Sequence, residues 1–253
     1  MDEYIYRYVS FESFVNIVQK KALTFVLPSL WDDTSELRGV YKLIEDESEW
    51  VKAVLYFIIL QKTYAQCWTH LAESDAMWRI YSYGNRALRI KVLTSSITLL
   101  ENVKMIGVEY SDEFEIGSAA SEEEKLLKAF ALKRKAFQHE CEVRLISHYR
   151  FNGTEDAHEH IKAFMALDKS DSGRKILKSY GNSVEESIHR IVSLMNLNGQ
   201  QKTKEIYFDR IPNFIQGVQV HPFAPQWYVD TVEQFCSQHS IPFEGKSQLY
   251  LRQ

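Results

Sequence analysis

The stretch Phe137-Gln138-His139-Glu140-Cys141-Glu142-Val143-Arg144-Leu145-Ile146 is where one kind of pattern gives way to another. Before it, residues 121–137 are charged and helix-like. Glu122, Glu123 and Glu124 occupy the first turn, where the helix dipole favours anions, and Lys133, Arg134 and Lys135 stand near the end, where it favours cations. After it, residues 142–147 alternate and read as a strand. Glu140 and Glu142 sit at the junction. Residues two apart on a strand point to the same face, so these carboxylates are expected to be neighbours. Two close carboxylates raise the cost of ionising both, which suits acid–base or cation-stabilising chemistry. The same pattern also fits a solvated glutamate face at a helix end, and the lysine–arginine run fits either phosphate contact or plain solvation.

Working outward, residues 4–9 read as a first strand. Ser10 suits a helix N-cap, followed by Phe11, Phe14, Val15 and Val18 at helical spacing. Residues 23–27 form a second strand closed by Pro28, and 29–39 a polar loop. A helix over 47–64 and a strand over 65–69 follow. Ser74 caps a short helix, 75–83, stopped by Gly84-Asn85. Strands are predicted at 87–92, 105–110, 205–209 and 217–220, the last ended by His221-Pro222. A helix over 226–239 and a strand over 248–251 complete the chain. Residues 150–203 read as an irregular insertion with a helix over 184–195. The expectation is an α+β fold: a single domain over 1–253 with a central mixed or antiparallel sheet and flanking helices.

Of the 253 residues, 45% are hydrophobic and 25% charged, which suffices for a sizeable core. The net charge of −4 shows no basic bias towards nucleic acid. Cys67, Cys141 and Cys236 lack CxxC spacing and read as reduced, mostly buried thiols. The first residues carry no signal-peptide pattern, and the apolar run 51–60 contains Lys52 and is far shorter than a membrane span. A cytoplasmic protein without a membrane partner is expected.

No Walker A, GxGxxG, GxSxG or HExxH motif occurs. His158 and His160 read as surface residues. Asp32, Asp33 and Glu36 suit a capped turn or, with Glu142, an incomplete cation site of a metal-dependent nuclease. Trp78 and Tyr81, three apart, suit one packed helix face or an aromatic wall. Arg7 suits a half-buried ion pair or an anion grip.

Several motifs stand in one order: Tyr6-Arg7-Tyr8-Val9-Ser10, Leu30-Trp31-Asp32-Asp33-Thr34-Ser35-Glu36, Cys67-Trp68-Thr69, Ala76-Met77-Trp78-Arg79-Ile80-Tyr81, the 137–145 stretch, and Gly217-Val218-Gln219-Val220-His221-Pro222. This series resembles the bacterial family filed as domain of unknown function 2971, over nearly the whole chain. Trp31-Asp32-Asp33 stands where that family usually shows Asn-Asp-Pro. The layout also resembles, more distantly, the ADP-ribosyltransferase fold. Those enzymes place an arginine or histidine on the first strand after an aromatic, as Tyr6-Arg7 does. They often place Glu-x-Glu-Val at the start of a later strand, as Glu140-Cys141-Glu142-Val143 does. Their Ser-Thr-Ser signature is absent here; Thr69 or Tyr81 stands nearest to it.

That resemblance implies NAD as substrate, no metal, and a transferase in a bacterial cytosol, as a toxin or phage-defence effector with a protein or nucleic-acid acceptor and an antitoxin or regulator partner. It implies Glu142 as the catalytic carboxylate and Glu140 as its acceptor-side helper. Tyr6, Arg7, Ser10, Thr69, Trp78 and Tyr81 are the implied NAD-binding residues. The rival expectation is a non-enzymatic module that binds a nucleotide or a protein in the same cleft.

Overall fold

Tyr4–Ser10 forms strand β1, and its last residue also starts the first helix. The Ser10 hydroxyl oxygen accepts from the Ser13 amide at 3.2 Å, satisfying one of the orphan donors of a helix N-terminus. Helix α1, Phe11–Lys20, buries Phe14, Ile17 and Val18 along one stripe. The computed structural model describes residues 3–46, 56, 58–148, 201–209 and 211–250. Most of the helix expected over 47–64, nearly all of the insertion expected over 150–203, and the helix expected over 184–195 lie outside them, though residues 58–62 are helical.

The segment read as a polar loop is more ordered than expected. After strand β2, Ala22–Val26, come two 3-10 turns, Pro28–Leu30 and Thr34–Leu37, and then helix α2, Arg38–Glu45. Asp33 starts the second turn by accepting from the Ser35 amide at 3.0 Å. Leu37, Val40, Tyr41 and Ile44 are buried against Leu126, Ala129 and Phe130 of helix α4, Glu122–Ala131. Gly39 permits that approach, because a Cβ there would lie 2.5 Å from the Ala129 carbonyl oxygen.

Among the described residues nine strands form one mixed sheet, and all the pairings used below are antiparallel unless stated. β1 pairs along its whole length with β4, Ala87–Leu93, and β4 pairs with β10, Ile215–Val220. β11, Phe243–Lys246, lies parallel to β10. The final strand therefore precedes the expected 248–251. The Ile241 amide bonds back to the Cys236 carbonyl at 2.9 Å, turning the chain straight from helix α5, Gln226–Gln238, onto the sheet. On the other side, β3, Tyr64–Thr69, gives one full edge to β8, Glu142–Ser147, and β8 pairs with β5, Lys104–Gly107. The opposite edge of β3 is shared. Its Thr69 meets Tyr6 of β1, while its Ala65 meets Val26 of β2, which in turn pairs with β9, Thr203–Tyr207. The sheet forks between those two contacts.

Alternation gives the sheet two covered faces. Ile5, Val9, Leu88, Ile90, Val92, Trp68, Val143, Val218 and Val220 form a core with α1 and α5. Ala65 and Ile146 face the other way, into the core of α2 and α4, and Tyr8 and Ala87 pack with Met77 and Trp78 of helix α3, Asp75–Tyr81. Ser74 caps α3 by accepting from the Met77 amide at 3.3 Å. Among the described residues no helix is long and apolar enough to cross a membrane.

The helix read over 121–137 stops at Ala131. Leu132–Lys133 becomes a short strand, β7, parallel to β6, Glu109–Tyr110. A 3-10 turn, Lys135–Glu140, then leads to Cys141 at φ 42°. Lys133 is consequently buried at 5% exposure, against the expectation of a solvated helix end. Of the three thiols, only Cys236 is fully buried; Cys67 is half-buried and Cys141 exposed.

Candidate active site

A cavity of about 170 Å³ opens at the fork of the sheet. Tyr6, Arg7 and Tyr8 of β1, Cys67 and Trp68 of β3, Met77 and Tyr81 of α3, and both Glu140 and Glu142 line it. Regular alternation groups Arg7 with Ile5 and Val9, on the sheet side opposite Glu142. Both still border one cavity, because β1 and β3 share only the Tyr6–Thr69 pair before the fork.

The two glutamates reach this cavity by different routes. Glu142 opens β8, opposite Thr69, whereas Glu140 ends the 3-10 turn and is separated from β8 by the left-handed Cys141. They are not successive residues on one strand face. They are gathered by Lys133, whose Nζ lies 2.6 Å from Glu140 Oε2 and 2.7 Å from Glu142 Oε2. Arg144, two residues along β8, is wholly buried. Its Nε donates to Glu142 Oε1 at 2.8 Å, one Nη to Glu36 at 2.6 Å, and the other to the Phe130 carbonyl at 2.7 Å. Glu36 also lies 3.3 Å from Lys133. Trp31 presents its ring to the Arg144 guanidinium at 4.6 Å, and Phe137 its ring to Lys133 at 4.9 Å. Within this cluster three carboxylates meet two cations, and Arg7 brings a third cation to the same cavity.

The pKa directions follow from this arrangement, not from the like-charge repulsion the sequence suggested. Burial pushes Glu142 up, but Arg144, then Lys133 and the Cys67 thiol, overrule it and hold the carboxyl at about 2. Glu36 goes the other way: burial raises it, and Arg144 and Lys133 only partly offset that. Burial opposes charge on Lys133 too, yet Glu142 and Glu36 carry its pKa above the ordinary value. The Cys67 thiol is pushed well up, by burial first and by Glu142 next.

Arg7 has neither an ion pair nor a hydrogen bond with a described residue. Burial pulls its pKa down, but a guanidinium stays charged. Tyr81 stands half-exposed at the cavity, its hydroxyl pKa raised by burial and by Glu140. Tyr6 also lines the cavity while its ring carries the Arg89 guanidinium at 4.7 Å.

Three other expected binding residues have structural work. Ser10 caps α1. Thr69 is buried, donates to the Glu140 carbonyl at 2.6 Å and accepts from the Leu71 amide at 3.0 Å. Trp78, at 1% exposure, packs edge-on against Tyr8 at 4.6 Å and donates to Glu73 at 3.1 Å. The residues of the cation-site reading are divided as well. Asp33 bonds Arg134 at 2.9 Å, Asp32 is exposed, and Glu36 and Glu142 are tied to Arg144. Among the described residues, no group of three His, Cys, Asp or Glu side chains is placed to hold a metal ion. Lys133 and Arg144 are the members that sequence reasoning did not assign to the site; Glu36 was grouped with Glu142, but as a cation ligand and not as the partner of Arg144. Arg144 was findable, since it shares Glu142's side of the strand two residues on.

No family model, curated protein or solved structure matches the chain.

Proposed function

We propose that this chain is an NAD-using enzyme of the ADP-ribosyltransferase kind and a member of the bacterial family of domain of unknown function 2971. One observation carries the reading: Arg7, which has no carboxylate partner among the described residues, lines the same cavity as Glu140 and Glu142. Breaking the nicotinamide–ribose bond develops positive charge at C1′. A fixed carboxylate beside that atom stabilises charge that appears only in the transition state. The buried glutamates supply such a charge, already desolvated and held in place. Arg7 is suited to grip a phosphate bidentately, and Tyr6 and Tyr81 offer aromatic faces to a ring. At about 170 Å³ the cavity accepts one end of a dinucleotide, leaving the remainder over the open surface. A cytosolic toxin or phage-defence role, with a protein or nucleic-acid acceptor and an antitoxin partner, accords with this chemistry.

One observation favours a second reading, a non-enzymatic module. Both oxygens of Glu142 are taken by protein donors, as in a structural anchor. Thermal melting with and without millimolar NAD separates the two, alongside an assay of nicotinamide release. The enzyme reading expects a raised melting temperature, weakened by Arg7→Lys because the bidentate grip is lost, and measurable release. An unchanged melting curve and no release would leave the module.

A further inference from the structure

Glu140 and Glu142 line the same cavity but differ in what their oxygens already do. Glu142 Oε1 accepts from Arg144 Nε at 2.8 Å, and its Oε2 from Lys133 at 2.7 Å and, more distantly, from an Arg144 Nη at 3.5 Å. The residue is 4% exposed. Glu140 spends only Oε2, on Lys133 at 2.6 Å. Its Oε1 has no donor among the described residues. Arg7, which lines the same cavity, has all of its donors unspent towards described residues.

We infer that Glu140, through its free Oε1, is the carboxylate that meets the ligand, and that Glu142 and Lys133 are positioning residues behind it. This reverses the roles expected for the two glutamates, and it rests on the proposed function only for the choice of dinucleotide probe. The ligand group that fits is compact, with an acceptor or anion for Arg7 and a donor or cation for Glu140. Both oxygens of Glu142 already serve buried cations, so its charge is largely spent within the protein, and freeing it for a ligand means releasing Arg144 or Lys133, each at the expense of a buried charge. Lys133, fixed by Glu142 and Glu36, in turn sets where Glu140 points.

Two measurements test this. The first uses no ligand: a water-soluble carbodiimide and a small amine label accessible carboxyls on the folded wild-type protein. One tryptic peptide, residues 136–144, carries both glutamates, and fragmentation tells them apart. Labelling of Glu140 with Glu142 protected is expected; Glu142 labelled equally or faster overturns the assignment. The second compares binding of NAD, whose nicotinamide ring is cationic, with NADH, whose ring is neutral. Wild type is expected to prefer NAD by about tenfold or more, as one facing charge provides. Glu140→Gln should bring that ratio close to one. Glu142→Gln should lower the melting temperature and weaken both ligands alike, keeping the ratio. Lys133→Arg should keep the ratio where Lys133→Met loses it. A ratio unaltered by Glu140→Gln overturns the inference. Wild type binding neither dinucleotide would remove the NAD reading, while the labelling result still decides between the two carboxylates.

Discussion

A carboxylate at 4% exposure keeps its charge only when donors replace the water it has lost. Glu142 has such donors in Arg144 and Lys133, and they set how stability depends on pH. Its carboxyl is ordinary near 4.5 in the unfolded chain and lies at about 2 when folded. The folded value is depressed, so this contribution is present above pH about 4.5 and is lost as pH falls towards about 2, on the order of 3 kcal/mol in all. Glu36 has the opposite sign, since its raised value favours the neutral form in the fold. Urea titrations of wild type and Glu142→Gln between pH 5 and pH 3 are expected to converge as pH falls; parallel curves would mean that Glu142 does not carry the dependence. Arg144→Met removes a partner from two buried carboxylates and should cost about 3–5 kcal/mol in the same assay at pH 7. The link between Glu142 and Arg144 was legible because both lie on one short strand. The burial of Lys133 and the pairing of Glu36 with Arg144 were not, because one rests on the short pairing of Leu132 and Lys133 with Glu109 and Tyr110, and no local pattern encodes a contact between residues 108 apart.

Between residue and fold, short elements decide where the cavity walls stand. α3 has seven residues, too few to be stable alone, so its capped start and its buried Met77 and Trp78 hold Tyr81 at the cavity. Ser74→Ala leaves the Met77 amide without its acceptor. A loss of about 1 kcal/mol is expected by denaturant melting, with weaker ligand binding as Tyr81 shifts. Cys141 poses the reverse case. It holds φ 42°, a region that favours glycine, and its side chain is exposed. Cys141→Gly should therefore be neutral or stabilising by up to about 1 kcal/mol, and a clear loss of stability would point to work done by the thiol. The boundaries of β1, α1, β3, β4 and α5 were close to those read from alternation, helical spacing and caps. The early end of α4 was not. Its charge pattern runs on past Ala131, but Leu132 and Lys133 are drawn into pairing with Glu109 and Tyr110, a tertiary contact that outweighs the local preference. The left-handed turn at Cys141 was equally hidden, since cysteine is not a residue that announces one.

Across the whole molecule, β3 and β8 are the shared wall between two cores. Trp68, Val143 and Leu145 point into the larger core with α1 and α5, while Ala65 and Ile146 of the same strands point into the core of α2 and α4. Neither core can lose its sheet face without exposing the other, so the described residues are expected to unfold together. Phe130→Ala, in the smaller core, tests this. The side chain is fully buried and its loss should cost about 3–5 kcal/mol. If the wall couples the cores, the variant melts in one transition at lower denaturant, with far-ultraviolet dichroism and tryptophan fluorescence coincident. If the cores are separate folding units, the signal from the α1–α5 side stays at its wild-type midpoint while the other moves. The second outcome would also bear on the cavity. Arg7 comes from β1, on the larger core's side of the fork, and Glu142 from β8, whose carboxylate is held by Lys133 and Arg144 beside α4. A site assembled from both sides keeps its geometry only while the two cores move as one, so a split transition should be accompanied by loss of ligand-induced stabilisation in the Phe130→Ala variant before either core has melted.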